Sequence, residues 1–266
     1  MTDVVRDIEE AFVAHWALLG QWPGARLIDE DGVLRFETPI RKLPYNGVIR
    51  TEISGRADDV VPRVVDAYAG RGAKVMWVVH PSAAPDDLAE RLEAAGLAPV
   101  ERAVGMALEL DSWSAAGGSP TAEFTEVVDE EGLQAYVDVS MSYWELDEAD
   151  RNKVAQLNRH WSGPRARGRR WLASLDGQVV GKGYVSLAGP PGVAAIYGMS
   201  VLPEARGHGV ASGLTDVLLA QAKEAACRRA VLHSSEMAVG LYRRAGFVER
   251  CTFRIFATAP IWSGRH

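Results

Sequence analysis

Apolar positions along this chain follow two rhythms that alternate. In some segments they recur every three or four residues with polar positions between, and in others they crowd into short β-branched runs. The first rhythm is that of a helix burying one face, the second that of a strand buried on both faces. On this reading a helix spans about 3–20, strands lie near 25–38 and 47–54, and a helix lies near 58–70. Lys74 to His80 forms a strand, Pro85 to Ala95 a helix and Arg102 to Leu110 a strand. Residues 112–120 are rich in Ser, Ala and Gly and end at Pro120, the composition of a linker. Beyond it the pattern predicts strands near 122–128, 169–175, 179–188 and 193–201 and helices near 130–142, 147–160, 210–227 and 236–245. A last strand falls near 249–258. The alternation predicts an α/β chain of two halves, 1–111 and 121–266, each a central mixed β-sheet flanked by helices.

An internal echo supports duplication. Ala94-Ala95-Gly96-Leu97 leads through Val100-Glu101-Arg102 into an apolar strand, and Ala245-Gly246-Phe247 leads through Val248-Glu249-Arg250 into another. The halves differ where a strand gives way to a helix. In the first, the strand Lys74–His80 runs into Pro81-Ser82-Ala83-Ala84-Pro85. In the second, the apolar run Val193–Val201 stops at Leu202-Pro203, and a glycine-rich turn precedes an amphipathic helix. That layout exposes backbone N–H groups at a helix N-terminus, where the helix dipole favours an anion. Gly207, Gly209 and Gly213 keep side chains out of the path of a bulky phosphate, so the loop reads as a pyrophosphate cradle. A dinucleotide fingerprint begun at Gly207 and Gly209 would need its third glycine where Ser212 stands, and a P-loop would need a Gly-Lys-Ser/Thr that is absent.

The pattern Arg206-x-x-Gly209-x-Ala211 after a strand ending at Val201 resembles the acyl-CoA loop of the GNAT superfamily of N-acyltransferases. Downstream, Val210, Leu214, Val217, Leu218 and Ala225 keep helical spacing, and Ala230 to His233 reads as a short buried strand. Ala238 to Phe247, with its Leu241-Tyr242 pair and Gly246-Phe247 turn, is similar to the second signature of that family. The resemblance implies a tandem GNAT protein whose first half is degenerate and lacks the CoA loop. It implies an N-acetyltransferase that takes an acetyl (acyl) group from acetyl-CoA. The acceptor is the primary amine of a small molecule attacking directly, and no metal is involved. It further implies that Met199, Ser200 and Val201 face the pantetheine arm, and that Arg206, Gly207, His208, Gly209, Val210, Ala211 and Ser212 contact the pyrophosphate. Arg206 either adds a charged contact or packs the turn, and His208 covers the loop surface. Many relatives carry Asn where Ser235 stands, so a pantetheine contact does not transfer there. Ser234 and Ser235 either substitute for it or cap the short helix, the cap being the simpler reading.

The chemistry rests on few groups. Tyr242 matches the tyrosine that protonates the departing thiolate in relatives, or it only packs the short helix onto the sheet. Full transfer from a tyrosine of pKa ~10 to a thiolate of pKa ~8.5 is uphill by about 2 kcal/mol. A hydrogen bond that strengthens as charge develops is the better description. The glutamate that serves some relatives as base falls here at Ala195, with no acid in Ala194 to Tyr197. His233, Glu145 and a water chain remain as candidates, His233 because its pKa lies near neutrality. Tyr143, Trp144 and Trp161 either line the acceptor pocket or belong to the core. The basic run Arg165-Ala166-Arg167-Gly168-Arg169-Arg170 is a solvated loop, or attracts an acidic acyl carrier protein or the 3′-phosphate of CoA.

Composition adds exclusions. No apolar run approaches the eighteen residues of a membrane span, and the acidic start of the chain lacks a signal-peptide core. The net charge of −6 argues against nucleic acid as a partner and suits a cationic amine. Cys227 and Cys251 provide neither a disulfide framework nor metal-ligand spacing, which makes a reduced cytoplasm the expected compartment.

Overall fold

A computed structural model describes residues 3–115, 117 and 121–260. Ala116 and Gly118 to Pro120 of the expected linker lie outside the described residues. The chain forms two compact units that interleave along the sequence, where the hydropathy pattern suggests a single boundary at 112–120. Val13–Ala103 and the segment from Cys251 onward make one, and the residues up to Phe12 with Val104–Arg250 make the other.

The first unit contains the end of α1 (Asp3–Gly20), β1 (Arg26–Glu30), β2 (Val33–Glu37), β3 (Gly47–Thr51), α2 (Ala57–Gly70), β4 (Met76–Val79) and α3 (Leu88–Ala94). It also takes the start of β5 (Ala98–Glu109) and the end of β11 (Val248–Ala257). Its strand order is β1-β2-β3-β4-β11-β5. The pairing is antiparallel from β1 to β3, parallel for β3 with β4, and antiparallel for β11 on β4. The apolar stretch near 25–38 is a hairpin: Asp31 and Gly32 both take positive φ, 56° and 81°, as a tight Asp-Gly turn requires. Trp77, Tyr68, Ile53, Leu92 and Phe256 fill the core beneath α2 and α3. In the loop before β3, Asn46 is fully buried; its Oδ1 accepts from Thr38 N at 2.9 Å and its Nδ2 donates to Ile40 O at 2.7 Å.

The second unit contains the start of α1, the end of β5, β6 (Ala122–Glu126), α4 (Glu130–Tyr143), α5 (Arg151–His160), β7 (Gly168–Leu175) and β8 (Gln178–Ser186). It continues with β9 (Val193–Val201), α6 (Val210–Glu224), β10 (Arg229–Ser235) and α7 (Val239–Arg244). The strand order is β5-β10-β9-β8-β7-β6, antiparallel from β6 to β9 and parallel for β9 with β10. Val104, Met106, Leu108 and Leu110 of and after β5 are core residues here, packed with Leu218, Leu232, Tyr242 and Phe247. Asp7 of α1 accepts from Arg228 at 2.8 Å and Arg229 at 2.6 Å. Gly213 is small for a reason other than phosphate approach: a Cβ there would lie 2.2 Å from the Phe124 ring of β6.

The echo in the sequence has a matching backbone. After α3, Ala95, Gly96 and Leu97 donate to Arg91, Glu93 and Leu92; after α7, Ala245, Gly246 and Phe247 donate to Leu241, Arg243 and Tyr242. Gly96 and Gly246 both hold positive φ, 87° and 100°, which closes each helix at the residue where a Cβ is least tolerated. In this correspondence the fully buried Leu92 occupies the place of Tyr242.

Candidate active site

The site begins with a fault in the sheet. β8 and β9 pair as Tyr184 with Tyr197 and Lys182 with Ser200, so Gly198 and Met199 together oppose Gly183. This β-bulge turns on Gly198, whose φ of +61° suits glycine. On the other edge, β9 pairs with β10 only as far as Ile196 with Leu232, although the strands continue to Val201 and Ser235. The two parallel strands therefore part from Tyr197 and His233 onward. Backbone groups of β9 past that point no longer bond to β10.

β9 leads through Leu202-Pro203 and a 3-10 turn, Pro203–Ala205, into the loop before α6. Gly207 and Gly209 sit at φ +80° and +75°, and Gly209 is the N-cap of α6 with no side chain capping it. The N–H groups of Val210, Ala211 and Ser212 thus open the helix, and its first turn holds no acidic residue. Arg206 and His208 are exposed, and the Arg206 carbonyl accepts a hydrogen bond from His208 Nδ1 at 3.0 Å. Met199 is half-buried against α6: a Cβ on Gly183 would meet its sulfur at 2.8 Å. Ser200 is buried, with Oγ donating to Gly198 O at 3.4 Å. The start of α6 thus presents main-chain donors beside a glycine turn, with no side chain capping them and no acid in the first turn, an arrangement able to receive an anion.

The titratable candidates fall in different places. Tyr242 is buried in α7 with its ring edge-on to Phe247 at 5.8 Å. Burial, with the nearby Tyr143 hydroxyl adding to it, pushes the Tyr242 hydroxyl well above its usual range. His233 is half-buried at the parting of the strands; Nδ1 lies 3.1 Å from the Tyr197 hydroxyl and its ring stacks on Tyr197 at 5.9 Å. Phe12 packs edge-on against the same imidazole at 4.9 Å. Glu145 follows α4 at φ +47°, where Leu146 N donates to Met141 O at 3.0 Å, so its backbone closes that helix. Ser235 stands at the N-cap of the turn before α7 but makes no capping bond, and Ser234 Oγ donates to Ser235 O at 2.8 Å. The serine cap read from the sequence is therefore not formed.

The sequence model of the acetyltransferase (GNAT) family matches residues 133–247, the segment that carries the bulge, the glycine turn before α6 and Tyr242. The chain carries a GNAT acetyltransferase domain and is an acyltransferase. No curated protein sequence matches it. Among solved structures it resembles a GCN5-related N-acetyltransferase from Kribbella flavida, at 19% identity and TM-score 0.65 over 93% of this chain and 95% of that one. It also resembles a GCN5-related N-acetyltransferase from Sphaerobacter thermophilus, at 17% identity and TM-score 0.60 over 90% and 77%. A tandem GNAT protein from the clavulanic acid biosynthesis pathway aligns at 15% identity and TM-score 0.58 over 98% and 95%. At such identities the likeness is one of fold.

Within the GNAT domain, the face of β7, β8 and β9 covered by α4 holds groups that the sequence reading passed over. Lys182 is buried, with Nζ donating to Gly198 O at 3.3 Å and lying 4.4 Å from the centre of the Tyr136 ring. Burial, and secondarily the charge of Arg170, lower its pKa to about 7. Arg170 lies 5.8 Å over Tyr136 and 5.4 Å over Tyr184, and donates to Trp161 O at 3.1 Å. The basic run is thus not simply a solvated loop. Arg169 and Arg170 belong to β7, and Arg169 engages Gln221 and Glu224. The signal for Lys182 was a lone lysine between two glycines in an otherwise apolar strand. Among the described residues no group of three or more His, Cys, Asp or Glu is placed to hold a metal, and no helix is long and apolar enough to cross a membrane.

Proposed function

We propose that this acyltransferase moves an acetyl group from acetyl-CoA to the primary amine of a small molecule, by direct attack. The observation that carries the reading is the parting of β9 and β10 after Ile196 and Leu232, followed at once by the glycine-capped N-terminus of α6. An extended pantetheine arm adds to the free edge of β9 in the way a strand would, and the pyrophosphate meets the N–H groups of Val210, Ala211 and Ser212. Gly207 and Gly209 leave that approach clear. Arg206 supplies a charge-assisted contact from its exposed position.

For the chemistry, the N–H of Met199 polarises the thioester carbonyl as charge develops on its oxygen. Tyr242 keeps its proton across the working pH range and offers it as a hydrogen bond to the departing sulfur. His233, fixed by Tyr197 and Phe12 at the mouth of the gap, receives a proton from the attacking amine. Glu145 lies in the segment after α4 and is a second acceptor for that proton. The first unit supports the fold without a cradle of its own: α2 carries Asp58 and Asp59 in its first turn, where a phosphate would be repelled, and Leu92 stands where a tyrosine would be needed.

The test is calorimetric titration with acetyl-CoA, followed by thiol release across a panel of primary amines. Saturable binding with amine-dependent thiol release is the expected result. Absence of acetyl-CoA binding would remove the cradle from the reading, and binding without thiol release for any amine would leave a sensor rather than a catalyst.

A further inference from the structure

We propose that Lys182 and Arg170 form an anion site on the α4-facing side of the sheet, and that it takes the carboxylate of an amino-acid-like acceptor. The inference deepens the proposed amine acetylation and rests on it. Lys182 is only 3% exposed, yet among the described residues neither it nor Arg170 pairs with a carboxylate. Other cations of α5 and β7 do pair: Arg169 with Glu126 and Glu224, Arg151 with Asp138 and Glu148, Lys153 with Asp150 and Arg159 with Glu130. A buried ammonium without a counter-ion is costly to desolvate, and a second cation against the same ring adds to that cost. Both lie against the Tyr136 ring, Lys182 Nζ 4.4 Å and Arg170 Cζ 5.8 Å from its centre.

Donors remain for a ligand. An ammonium has three N–H groups and a guanidinium five; Lys182 uses one on Gly198 O, and Arg170 uses one nitrogen on Trp161 O and Ser162 Oγ. Lys182 is the inner cation and the half-buried Arg170 the outer one, the order expected for an anion entering from solvent. The place is also right for an acceptor. Tyr184, which packs under Arg170, pairs with Tyr197, and Tyr197 holds His233 where β9 and β10 part. Gly198 keeps the inner end tight: a Cβ there would sit 3.1 Å from the Tyr136 hydroxyl and 3.5 Å from Lys182 Nζ. A flat, singly charged carboxylate matches one guanidinium fork and one ammonium.

The experiment uses the full chain with acetyl-CoA and matched acceptor pairs: lysine and cadaverine, tyrosine and tyramine, tryptophan and tryptamine. Thiol release is expected to favour the carboxylate-bearing member by about 10- to 100-fold in kcat/KM for at least one pair. Lys182→Met is expected to collapse that preference toward parity. Arg170→Gln, which keeps a polar side chain at this half-buried position, is expected to reduce it in the same direction. Preference for the decarboxylated amine, silence of every carboxylate-bearing amine, or an undiminished preference in Arg170→Gln would overturn the proposal. Loss of acetyl-CoA binding in the wild-type titration would instead count against the acetyltransferase reading itself, so the two failures are distinct.

Discussion

Single side chains in this protein are tuned chiefly by burial. Burial keeps the Tyr242 hydroxyl protonated, and the Phe ring of a Tyr242→Phe variant fills the same space beside Phe247. That variant is expected to lose about 100-fold or more in kcat while holding its acetyl-CoA affinity; an unchanged kcat would make Tyr242 a packing residue. Lys182 titrates in the opposite sense. Its folded pKa of about 7 lies below the ordinary lysine value of 10.5, so between these values the unfolded chain holds a proton that the folded chain has released. Stability from this group therefore rises with pH through that window, by up to about 1.4 kcal/mol per unit, and is lowest below pH 7 where both states are charged. Lys182→Met is expected to flatten that slope and to exceed the wild type in stability at pH 6. Urea midpoints for both proteins at pH 6, 7, 8 and 9 check it, and parallel slopes would contradict it.

At the scale of elements, α2 and α6 differ in how they begin. Each follows the last strand of its unit's antiparallel run, but α2 begins with Asp58 and Asp59 whereas α6 begins with no acid and a glycine N-cap in the left-handed region. Acid in the first turn suits a helix that faces only water, because it answers the dipole. It excludes a phosphate for the same reason. Ser212→Asp is accordingly expected to stabilise α6 by about 0.3–1 kcal/mol and to weaken acetyl-CoA binding about tenfold or more. Thermal melting and calorimetry on one preparation test both signs, and undiminished affinity would argue against the helix N-terminus as the phosphate site. The glycine turn that opens α6 was legible in the sequence because its parts are contiguous: strand, Pro203, two glycines, helix. The closing turns after α3 and α7 were legible for the same reason. The cluster of Tyr136, Arg170, Lys182 and Tyr197 was not, because it assembles from α4, β7, β8 and β9 across some sixty residues and carries no local spacing. Gly213 was misread because its neighbour Phe124 is remote in sequence, and the Ser235 cap because a residue at the right position need not turn its hydroxyl inward.

At the scale of the whole chain, linear halves and compact units part company. Periodicity located nearly every strand and helix but says nothing of which sheet a strand enters, since an apolar run such as Ala103 to Leu108 suits the core of either unit. The difference decides what can be cut out. Residues 121–266 contain the whole family match, yet the core of the second unit also uses Val104, Met106, Leu108 and Leu110. Each such side chain contributes roughly 1.5–3 kcal/mol on burial, so their joint loss rivals the about 5–15 kcal/mol that holds a domain folded. The fragment also lacks Asp7 and Glu109, leaving Arg229 without either of its carboxylates, and strands Phe253 and Phe256 of β11 outside the sheet they complete in the first unit. Residues 121–266 expressed alone are therefore expected to aggregate or to show no cooperative melting transition. Adding back 98–120 restores β5 and should recover solubility before it recovers full stability, because α1 is still missing. A stable 121–266 fragment that melts cooperatively would mean that β10 tolerates an open edge in place of β5, and that the strand order β5-β10-β9 is not what holds the parting strands in place.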